Sequence, residues 1–420
     1  MKSNKQLLVK NTIMLYLLRF STYFFSFITV PYQTRIMGKE IYGRIGIATA
    51  MMMYFQLFLD FGFLLSGTEE VAKNKNDKVK LCEVFTSIVV LKIIFSIISG
   101  IVLVGICKFV PQYNSDKELY FLFLAQAVIS CFLPDYLYRG LEDMSMVTYR
   151  TVFVKGLFTV LILVFLKQPS DYLCVPVISA LGEFCAVVWS WVDLYKRYQI
   201  GFVPVKYEQL LRQIKKSSHF FLSRIASTVY TATNTMILGY IDPVSGTVGL
   251  YTAANKLITT GQSALAPISD SMYPYMIKNK DFKLAKKVLM VMMPVILVGT
   301  AIIMIWAEPF CVLIYGKKFS GMGMILRAMM PIAVLTLPDY ILGFPTLGAM
   351  GLSKHANISI YVSASIHLIN LCLVTYAGKL NAVTLAVLTS ITVLIEVLYR
   401  LIVVIKNRKL MQGDGRGEKE

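Results

Sequence analysis

The sequence predicts an all-α integral membrane protein with about twelve transmembrane helices, arranged as two parallel, pseudo-symmetric six-helix bundles. The membrane class follows from composition, because 56% of the 420 residues are hydrophobic and the mean hydropathy is +0.63. It also follows from apolar runs of about 18 residues or more that recur along the chain, each long enough to cross a bilayer as a helix. An internal duplication predicts the two bundles.

The duplication is carried by the motif Leu-Pro-Asp-Tyr, which occurs at residues 133–136 and again 204 positions later, at 337–340. Two further pairs share this register to within three positions: Arg19 with Arg224, and Gly38 with Gly239. Since each repeat holds six spans, an even number, both repeats keep the same orientation in the membrane. Parallel repeats of this kind are typical of transporters, whose binding site lies where the repeats meet.

The spans are predicted from hydropathy and from the charged and glycine-containing breaks between the apolar runs. In order they are residues 11–32, 41–66, 81–109, 119–140, 146–167, 172–195, 217–240, 248–275, 286–306, 322–348, 355–378 and 381–405. The connections are too short for a soluble catalytic domain. The domains predicted from them are an N-terminal bundle (1–195), a cytoplasmic linker (196–216), a C-terminal bundle (217–405) and a disordered cytoplasmic tail (406–420).

The linker is the longest internal polar stretch. Its residues 206–216 can form a short amphipathic helix, with Leu210, Leu211 and Ile214 on one side. We expect such a helix to lie on the inner membrane face with its basic residues near anionic headgroups.

Net charge is +18, which in a soluble protein would suggest a nucleic-acid partner. Of the 42 Lys and Arg residues, 26 lie on or next to the segments on the side of the N-terminus and 9 on the opposite side. This asymmetry is the positive-inside signature of a membrane protein. It places both termini in the cytoplasm and removes the main support for nucleic-acid binding.

Cysteine and histidine spacing predicts no metal or redox site. The seven cysteines form no Cys-x-x-Cys pair, and the three histidines lie far from any cysteine pair. Cys107 and Cys311 are 204 positions apart, near the predicted outer surface, and a disulfide would be possible if the two halves bring them together. The basic N-terminus lacks an obvious cleavage site, so we expect the first apolar run to remain as a span.

Cations inside apolar spans are costly, at about 2.5–3.5 kcal/mol each, and usually face a partner or a wet cavity. Arg19 and Arg224 lie about 12 Å inside the first span of each repeat. They are therefore candidates for lining a cavity, with snorkelling to the headgroups as the alternative. Lys256 and Arg327 have a similar depth from the outer side. Arg400 is one turn from the inner end of the last span and is expected to snorkel.

Prolines precede the duplicated acids Asp135 and Asp339 within predicted helices. Pro134 and Pro338 each remove a backbone hydrogen bond, so both are candidate hinges. Asp135 has Arg139 four residues later on the same helix face and is expected to pair with it. Asp339 has no such neighbour.

Asp339 is therefore the better candidate for an ion-coupling site, with Asp135 and Asp60 as weaker ones. Glu183 and Glu396, 213 positions apart and near the repeat register, are expected to form structural pairs. A path rich in Arg and Lys would select an anion, since the guanidinium fork fits phosphate oxygens.

Distinctive residues near the N-terminus resemble a known family. They are Pro31, Arg35, Gly38 and the Tyr42-Gly43 pair, followed by Leu-Asp-Phe-Gly-Phe at 59–63 and Gly-Thr-Glu-Glu-Val-Ala-Lys at 67–73. A Val-Gly-Leu-Tyr restart follows at 248–251. The pattern is similar to the polysaccharide-exporter branch of the multidrug/oligosaccharidyl-lipid/polysaccharide superfamily, and most similar to bacterial O-antigen (Wzx-type) flippases.

The resemblance implies an inner-membrane protein that moves an undecaprenyl-pyrophosphate-linked oligosaccharide from the cytoplasmic to the periplasmic leaflet. Arg35 then joins the candidate substrate-binding set. We expect no cofactor and no enzymatic activity, but coupling to a proton or sodium gradient. Expected partners are membrane lipids, the polysaccharide polymerase and the chain-length machinery, around a monomer.

Three other functions are weighed against this one. A drug or cation antiporter of the same superfamily should favour acids and aromatics over arginines in its cavity. A membrane-embedded glycosyltransferase or polysaccharide polymerase needs a catalytic carboxylate or base in a sizeable outer loop, and the loops at 107–118 and 307–321 hold no convincing cluster. A scaffold is the third. The sequence contains no phosphate-binding GxxxxGK[ST] loop, so direct use of ATP is not predicted.

Overall fold

The computed structural model describes residues 4–242 and 246–408, and within these ranges the chain is built from helices without β-strands. The first half contains α1 (Asn4–Asp60), α2 (Phe63–Lys73), α3 (Lys78–Phe109), α4 (Pro111–Asn114), α5 (Lys117–Cys131), α6 (Asp135–Gly140), α7 (Met144–Phe165) and α8 (Cys174–Asp193). The second contains α9 (Tyr207–Ile241), α10 (Thr247–Asn279), α11 (Phe282–Ile305), α12 (Ala307–Tyr315), α13 (Met322–Ile341), α14 (Ser353–Tyr376) and α15 (Ala382–Lys406). The all-α membrane class is confirmed.

Helix α1 is too long for one membrane crossing. Its 57 residues correspond to roughly 86 Å at 1.5 Å per residue, against about 30 Å of hydrocarbon. The helix breaks at Gly38, which has φ 75° and ψ 175°. Glycine reaches this conformation without the steric cost that a side chain imposes. The predicted first and second spans lie on either side of this break.

Nine helical stretches among the described residues are long and apolar enough to cross a membrane. One of them, Ile13–Lys73, contains the first two predicted spans. The predicted seventh and eighth spans coincide with α9 and α10, which carry more polar residues and do not reach the same hydropathy. All twelve predicted spans nevertheless fall on helices.

The chain divides into two compact units, unit 1 up to Thr228 and unit 2 from Val229. Within unit 1, α8 packs against both α5 and α7, and within unit 2, α15 packs against both α13 and α14. These helices occupy matching places in the two predicted repeats, so the duplication read from the sequence is also a duplication of packing.

The predicted linker helix is present, but it forms the first turns of α9 and continues into the predicted seventh span. The stretch before it is fastened to α3, because the backbone N–H of Val203 donates to Thr86 Oγ1 at 3.1 Å. Leu210 and Ile214 pack against the core of unit 1, whereas Leu211 is exposed. The first part of α9 thus belongs to unit 1.

Two smaller predictions concern cysteines and the tail. Cys107 and Cys311 are each buried and each a free thiol, so the possible disulfide is not formed. The predicted disordered tail, beyond the first few of its residues, lies outside the described part of the chain.

Candidate functional site

Asp60 and Arg224 form an ion pair within unit 1, where the end of α1 meets the first half of α9. Arg224 Nη1 lies 3.6 Å from Asp60 Oδ2, with the side chains 42% and 26% exposed. Gln56 donates to Asp60 Oδ1 at 3.2 Å. A pair this exposed contributes less than about 1 kcal/mol to stability. One predicted cavity cation and one predicted coupling acid are therefore neighbours, in a place where solvent or substrate can compete for the arginine.

Asp135 pairs with Arg150, so the prediction that it pairs with Arg139 is wrong. Arg150 Nη2 lies 2.7 Å from Asp135 Oδ1, and Nη1 donates to Ser190 Oγ at 2.8 Å. Arg139 is exposed. The cause is the break between α5 and α6, which makes Asp135 the first residue of a six-residue helix and directs its carboxylate toward α7 instead of along its own helix.

Arg150 is not among the residues singled out from the sequence. In the structure it is only 1% exposed. It is the fifth residue of the predicted fifth span, and a cation this close to a span end is typical of the membrane surface. Its position fifteen residues after Asp135 gave no helical spacing that would have linked the two.

Asp339, Glu396 and Arg400, which we call the Asp339 cluster, lie together in unit 2. Arg400 Nη1 is 2.8 Å from Asp339 Oδ1 and donates to the Asp339 backbone carbonyl at 2.7 Å. Arg400 Nη2 donates to Glu396. The prediction that Arg400 snorkels to the headgroups is wrong, because Arg400 is 5% exposed. Asp339 does have a partner, which comes from α15 and not from its own helix.

Gly343 makes room for the Arg400 guanidinium. It lies in the π-helical turn Leu342–Gly348 that follows α13, and its ψ of −126° breaks the helix there. A Cβ at this position would lie 2.9 Å from Arg400 Nη1, so a larger residue would displace the guanidinium. The arginine is further held by Ser359, whose Oγ accepts from Nε at 2.9 Å.

The two copies of Leu-Pro-Asp-Tyr are thus neutralised differently. In unit 1 the arginine is on α7 and the hydroxyl partner on α8, whereas in unit 2 the arginine is on α15 and the hydroxyl partner on α14. The first cluster holds one carboxylate and one guanidinium. The second holds two carboxylates and one guanidinium, because Glu396 is added. The structural pairing predicted for Glu396 is confirmed.

Pro134 and Pro338 occupy unlike places in their helices. Pro134 lies in the break between α5 and α6, as a hinge position requires. Pro338 lies inside α13, which continues through it to Ile341, and the backbone breaks five residues later, at Gly343. Movement about either proline stays a prediction.

The other predicted substrate-binding cations are spread along the helices. Arg19 and Arg35 are exposed on α1 in unit 1, Lys256 is half-buried on α10, and Arg327 is exposed near the start of α13. Arg327 Nε donates to the Met304 carbonyl at 2.9 Å. Their convergence on one aqueous chamber stays a prediction.

Glu308 lies between two predicted spans and close to the first turn of α13. Partial burial opposes ionisation of the Glu308 carboxyl. The backbone N–H groups of Gly321 and Gly323 donate to this carboxylate and, together with the charge of Arg327, lower the pKa of Glu308. A negative charge is thereby kept beside Arg327. This electrostatic interaction favours an anchoring role for Arg327 at that end of the helix.

A second polar region of unit 1 is a cavity of about 190 Å³ bordered by α1, α5, α7 and α8. Lys155 and Glu183 both line it. Gln126 Oε1 borders the same space and is buried without a hydrogen-bond donor. The fold thus brings Glu183, expected from the sequence to form a structural pair, to one cavity with Lys155.

Unit 2 contains a buried polar network that was not predicted from the sequence. His367, fully buried, lies 2.7 Å from Thr392 Oγ1 and 2.9 Å from Asn234 Oδ1. Asn234 Nδ2 donates to Thr389 Oγ1 at 2.9 Å and to Tyr251 Oη at 3.2 Å. The network joins α9, α10, α14 and α15 within the unit.

The segment 59–73 carried much of the sequence resemblance. In the structure its residues pack closely against the start of α9. Gly62 has φ 80°, and a Cβ there would lie 2.7 Å from the Ser217 carbonyl oxygen. Ser66 Oγ is 2.7 Å from Ser217 Oγ, and Lys216 Nζ is 3.1 Å from Glu70 Oε1. The segment therefore holds the start of α9 against unit 1.

Gly62→Ala is expected to destabilise the protein by about 2 kcal/mol or more, because alanine disfavours positive φ and its methyl group overlaps α9. Thermal unfolding of the purified protein in detergent measures the effect. Gly100→Ala in α3 is the matched control, since a Cβ there meets no atom within 4 Å. Equal melting temperatures for the two variants would contradict the packing role.

Known structures share this fold across nearly the whole chain. An inward-facing multidrug resistance MATE family transporter of the MOP superfamily superposes with a TM-score of 0.71 at 14% identity, covering 97% of this chain and 100% of the other. Lipid II flippase MurJ, in an inward closed conformation, gives a TM-score of 0.67 at 13% identity, covering 96% of this chain and 90% of MurJ. At these identities the likeness establishes the fold alone.

Sequence relatives are closer. A provisionally named O-antigen transporter of Escherichia coli K12 is 29% identical over 275 residues, 65% of this chain and 66% of that protein, just under two thirds of its length. A second, from Shigella dysenteriae and also provisionally named, is 25% identical over 93% of this chain and 98% of that protein. The profile of one family matches residues 8–280, which is more than half of the chain. The chain belongs to the polysaccharide biosynthesis protein family.

Proposed function

We propose that the protein is a flippase that moves undecaprenyl-pyrophosphate-linked oligosaccharide repeat units from the cytoplasmic to the periplasmic leaflet by alternating access. The observation that carries the proposal is membership of the polysaccharide biosynthesis family over residues 8–280. The alignment with an O-antigen transporter over 93% of the chain supports it. The proposal makes the protein a transporter, with no enzymatic activity of its own.

The chemistry of the substrate explains why cations are needed. A pyrophosphate in bare hydrocarbon costs on the order of tens of kcal/mol for its charge. Arginines in a wet path offset this cost through paired, charge-assisted hydrogen bonds to phosphate oxygens. Arg19, Arg35 and Arg224 are at exposed or half-exposed positions on membrane helices of unit 1, as residues that touch a passing headgroup must be. Lys256 and Arg327 are the candidates from unit 2.

The Asp60–Arg224 pair offers a way to link substrate and ion. A pyrophosphate that binds Arg224 competes with Asp60 for the same guanidinium. Asp60 would then lose its neutralising partner, so binding of the substrate at Arg224 would change the charge balance at Asp60. Asp135, held by a fully buried arginine, is less available for such exchange than Asp60 or Asp339.

The membrane and orientation follow from charge. The excess of Lys and Arg on the side of the N-terminus predicts cytoplasmic termini, and the proposed substrate is assembled in the bacterial inner membrane. We therefore place the protein there as a multi-pass monomer, with the polymerase and chain-length machinery as partners on the far side.

A drug or cation antiporter is the principal alternative. The fold does not separate the two functions, because its neighbours include both a multidrug transporter and a lipid II flippase. The arginines on unit 1 favour an anionic substrate over a cationic drug.

Deleting the gene is expected to abolish surface polysaccharide and to accumulate the lipid-linked oligosaccharide in the inner leaflet. Extraction and mass spectrometry identify the accumulated lipid, and restoring the gene on a plasmid should clear it. Unchanged surface polysaccharide, together with increased sensitivity to cationic drugs, would instead support the antiporter. Accumulation of free glycan without lipid would contradict the proposed substrate.

A further inference from the structure

The Asp339 cluster holds more negative than positive groups in a place shielded from water. The Asp339, Glu396 and Arg400 side chains are 16%, 7% and 6% exposed. If both carboxyls were ionised, the cluster would carry a net charge of −1. An uncompensated charge at such a place costs several kcal/mol, which one bound proton removes.

Unit 1 provides an internal comparison. Its corresponding acid, Asp135, is matched one to one by Arg150, with the hydroxyl of Ser190 completing the site. A second acid of unit 1, Glu183, interacts electrostatically with Arg150 and Asp135 and also with Lys155, so two carboxyls are matched by two cations there. Unit 2 has a second carboxyl, Glu396, without a second cation. This unmatched carboxyl is what creates a place for a proton.

The surroundings supply no second cation to the cluster. Among the described residues packed around it, α14 contributes the hydroxyls of Ser359 and Ser363, the latter 3.5 Å from Glu396 Oε2. His355 is directed to the Tyr399 hydroxyl at 3.0 Å. Lys256 is thirteen residues before Ser269, the α10 residue that contacts the Tyr340 backbone, and so lies roughly 20 Å away along the helix. The other charged residues of these helices near the cluster are exposed: Lys354, Asp270, Lys278, Lys283, Lys286 and Lys287.

We propose that the Asp339 cluster is a proton-binding site, in which Asp339 and Glu396 share one proton beside Arg400, and that exchange of this proton drives unit 2 through the transport cycle. The proposal rests on the proposed function and assigns its coupling ion. Asp339 is the more exposed of the two acids and is the point at which the proton reaches solvent.

The same geometry disfavours sodium. A metal cation requires several oxygen ligands arranged around it. The Arg400 guanidinium already forms an ion pair with each of the two carboxyls and donates to Glu396 and to the Asp339 backbone carbonyl. A sodium ion would have to sit against this fixed positive charge. A proton instead binds to a carboxyl oxygen without displacing the arginine.

Two neutral substitutions test the site. Glu396→Gln and Asp339→Asn each leave one carboxylate with Arg400, as in the Asp135–Arg150 ion pair of unit 1, so both variants should fold. Infrared titration of the purified wild type should show the carbonyl band of a protonated carboxyl that is lost at alkaline pH. Both variants should lack this band, while Glu183→Gln, a buried acid of unit 1, should retain it. A titrating band that persists in both variants would overturn the proposal.

Transport separates this proposal from the proposed function. In proteoliposomes loaded with lipid-linked oligosaccharide, an imposed pH gradient should accelerate wild-type flipping, and the rate of Glu396→Gln should be the same with and without the gradient. Acceleration by a sodium gradient alone, equal in both proteins, would overturn the proton site while the flippase function stands. No flipping by the wild type, with the infrared band present, would overturn the flippase function and leave the proton site intact.

Discussion

Arg400→Ala is expected to destabilise unit 2 by about 3–5 kcal/mol, because removing one partner of a buried ion pair leaves the other uncompensated. Here two carboxyls lose their shared guanidinium, and the Asp339 backbone carbonyl and the Ser359 hydroxyl each lose a donor. We expect little folded protein in the membrane. Membrane abundance and the melting temperature in detergent measure the loss.

Charge compensation should rescue part of this effect. In Arg400→Ala combined with Glu396→Gln and Asp339→Asn, no charge remains to be neutralised, so the melting temperature should recover relative to the single variant. Arg327→Ala is a suitable control, because that arginine is exposed and its removal is expected to cost less than about 1 kcal/mol. Equal losses for Arg400→Ala and Arg327→Ala would show that the buried cluster does not stabilise unit 2.

Arg19→Ala and Arg224→Ala are each expected to abolish complementation of a strain that lacks its flippase, with normal amounts of protein in the membrane. Losing one buried, charge-assisted contact to a phosphate costs about 2 kcal/mol or more, which lowers flipping at least about 30-fold. Surface polysaccharide on gels and the flipping rate in proteoliposomes measure the effect.

Lysine variants separate charge from geometry. Arg19→Lys and Arg224→Lys keep the positive charge but lose the paired donors of the guanidinium, so an intermediate rate is expected. Asp60→Asn is the control for Arg224, since it removes the ion pair and leaves the arginine in place. Normal surface polysaccharide in both alanine variants would contradict the cationic path.

The duplicated motif shows how far sequence reasoning reached. The motif located both acids and both prolines, and it identified the internal repeat. The equivalent packing of α8 in unit 1 and α15 in unit 2 agrees with that repeat. Sequence reasoning failed on the partners. A spacing of four residues suggested Arg139 for Asp135, and both residues do lie on α6. The carboxylate nevertheless pairs with Arg150 of α7, because spacing along one helix does not reveal a partner on a neighbouring helix.

The distance of a residue from the end of its span also failed to predict whether its side chain is buried. Arg150 and Arg400 are both close to span ends, where a long side chain can reach the headgroups, and Arg400 was expected to do so. In the structure each is covered by neighbouring helices. Distance along one helix carries no information about what packs against it.

The membrane class, the repeat, the approximate spans and the charge asymmetry were determined by the sequence alone, because each depends on local composition or on spacing along the chain. The break at Gly38 could be anticipated too, since a bilayer limits the length of one crossing. The partners of Asp60, Asp135 and Asp339 were decided only by tertiary structure. Each bond joins residues from different helices, and the register between packed helices is set by side-chain volumes and backbone breaks that act together.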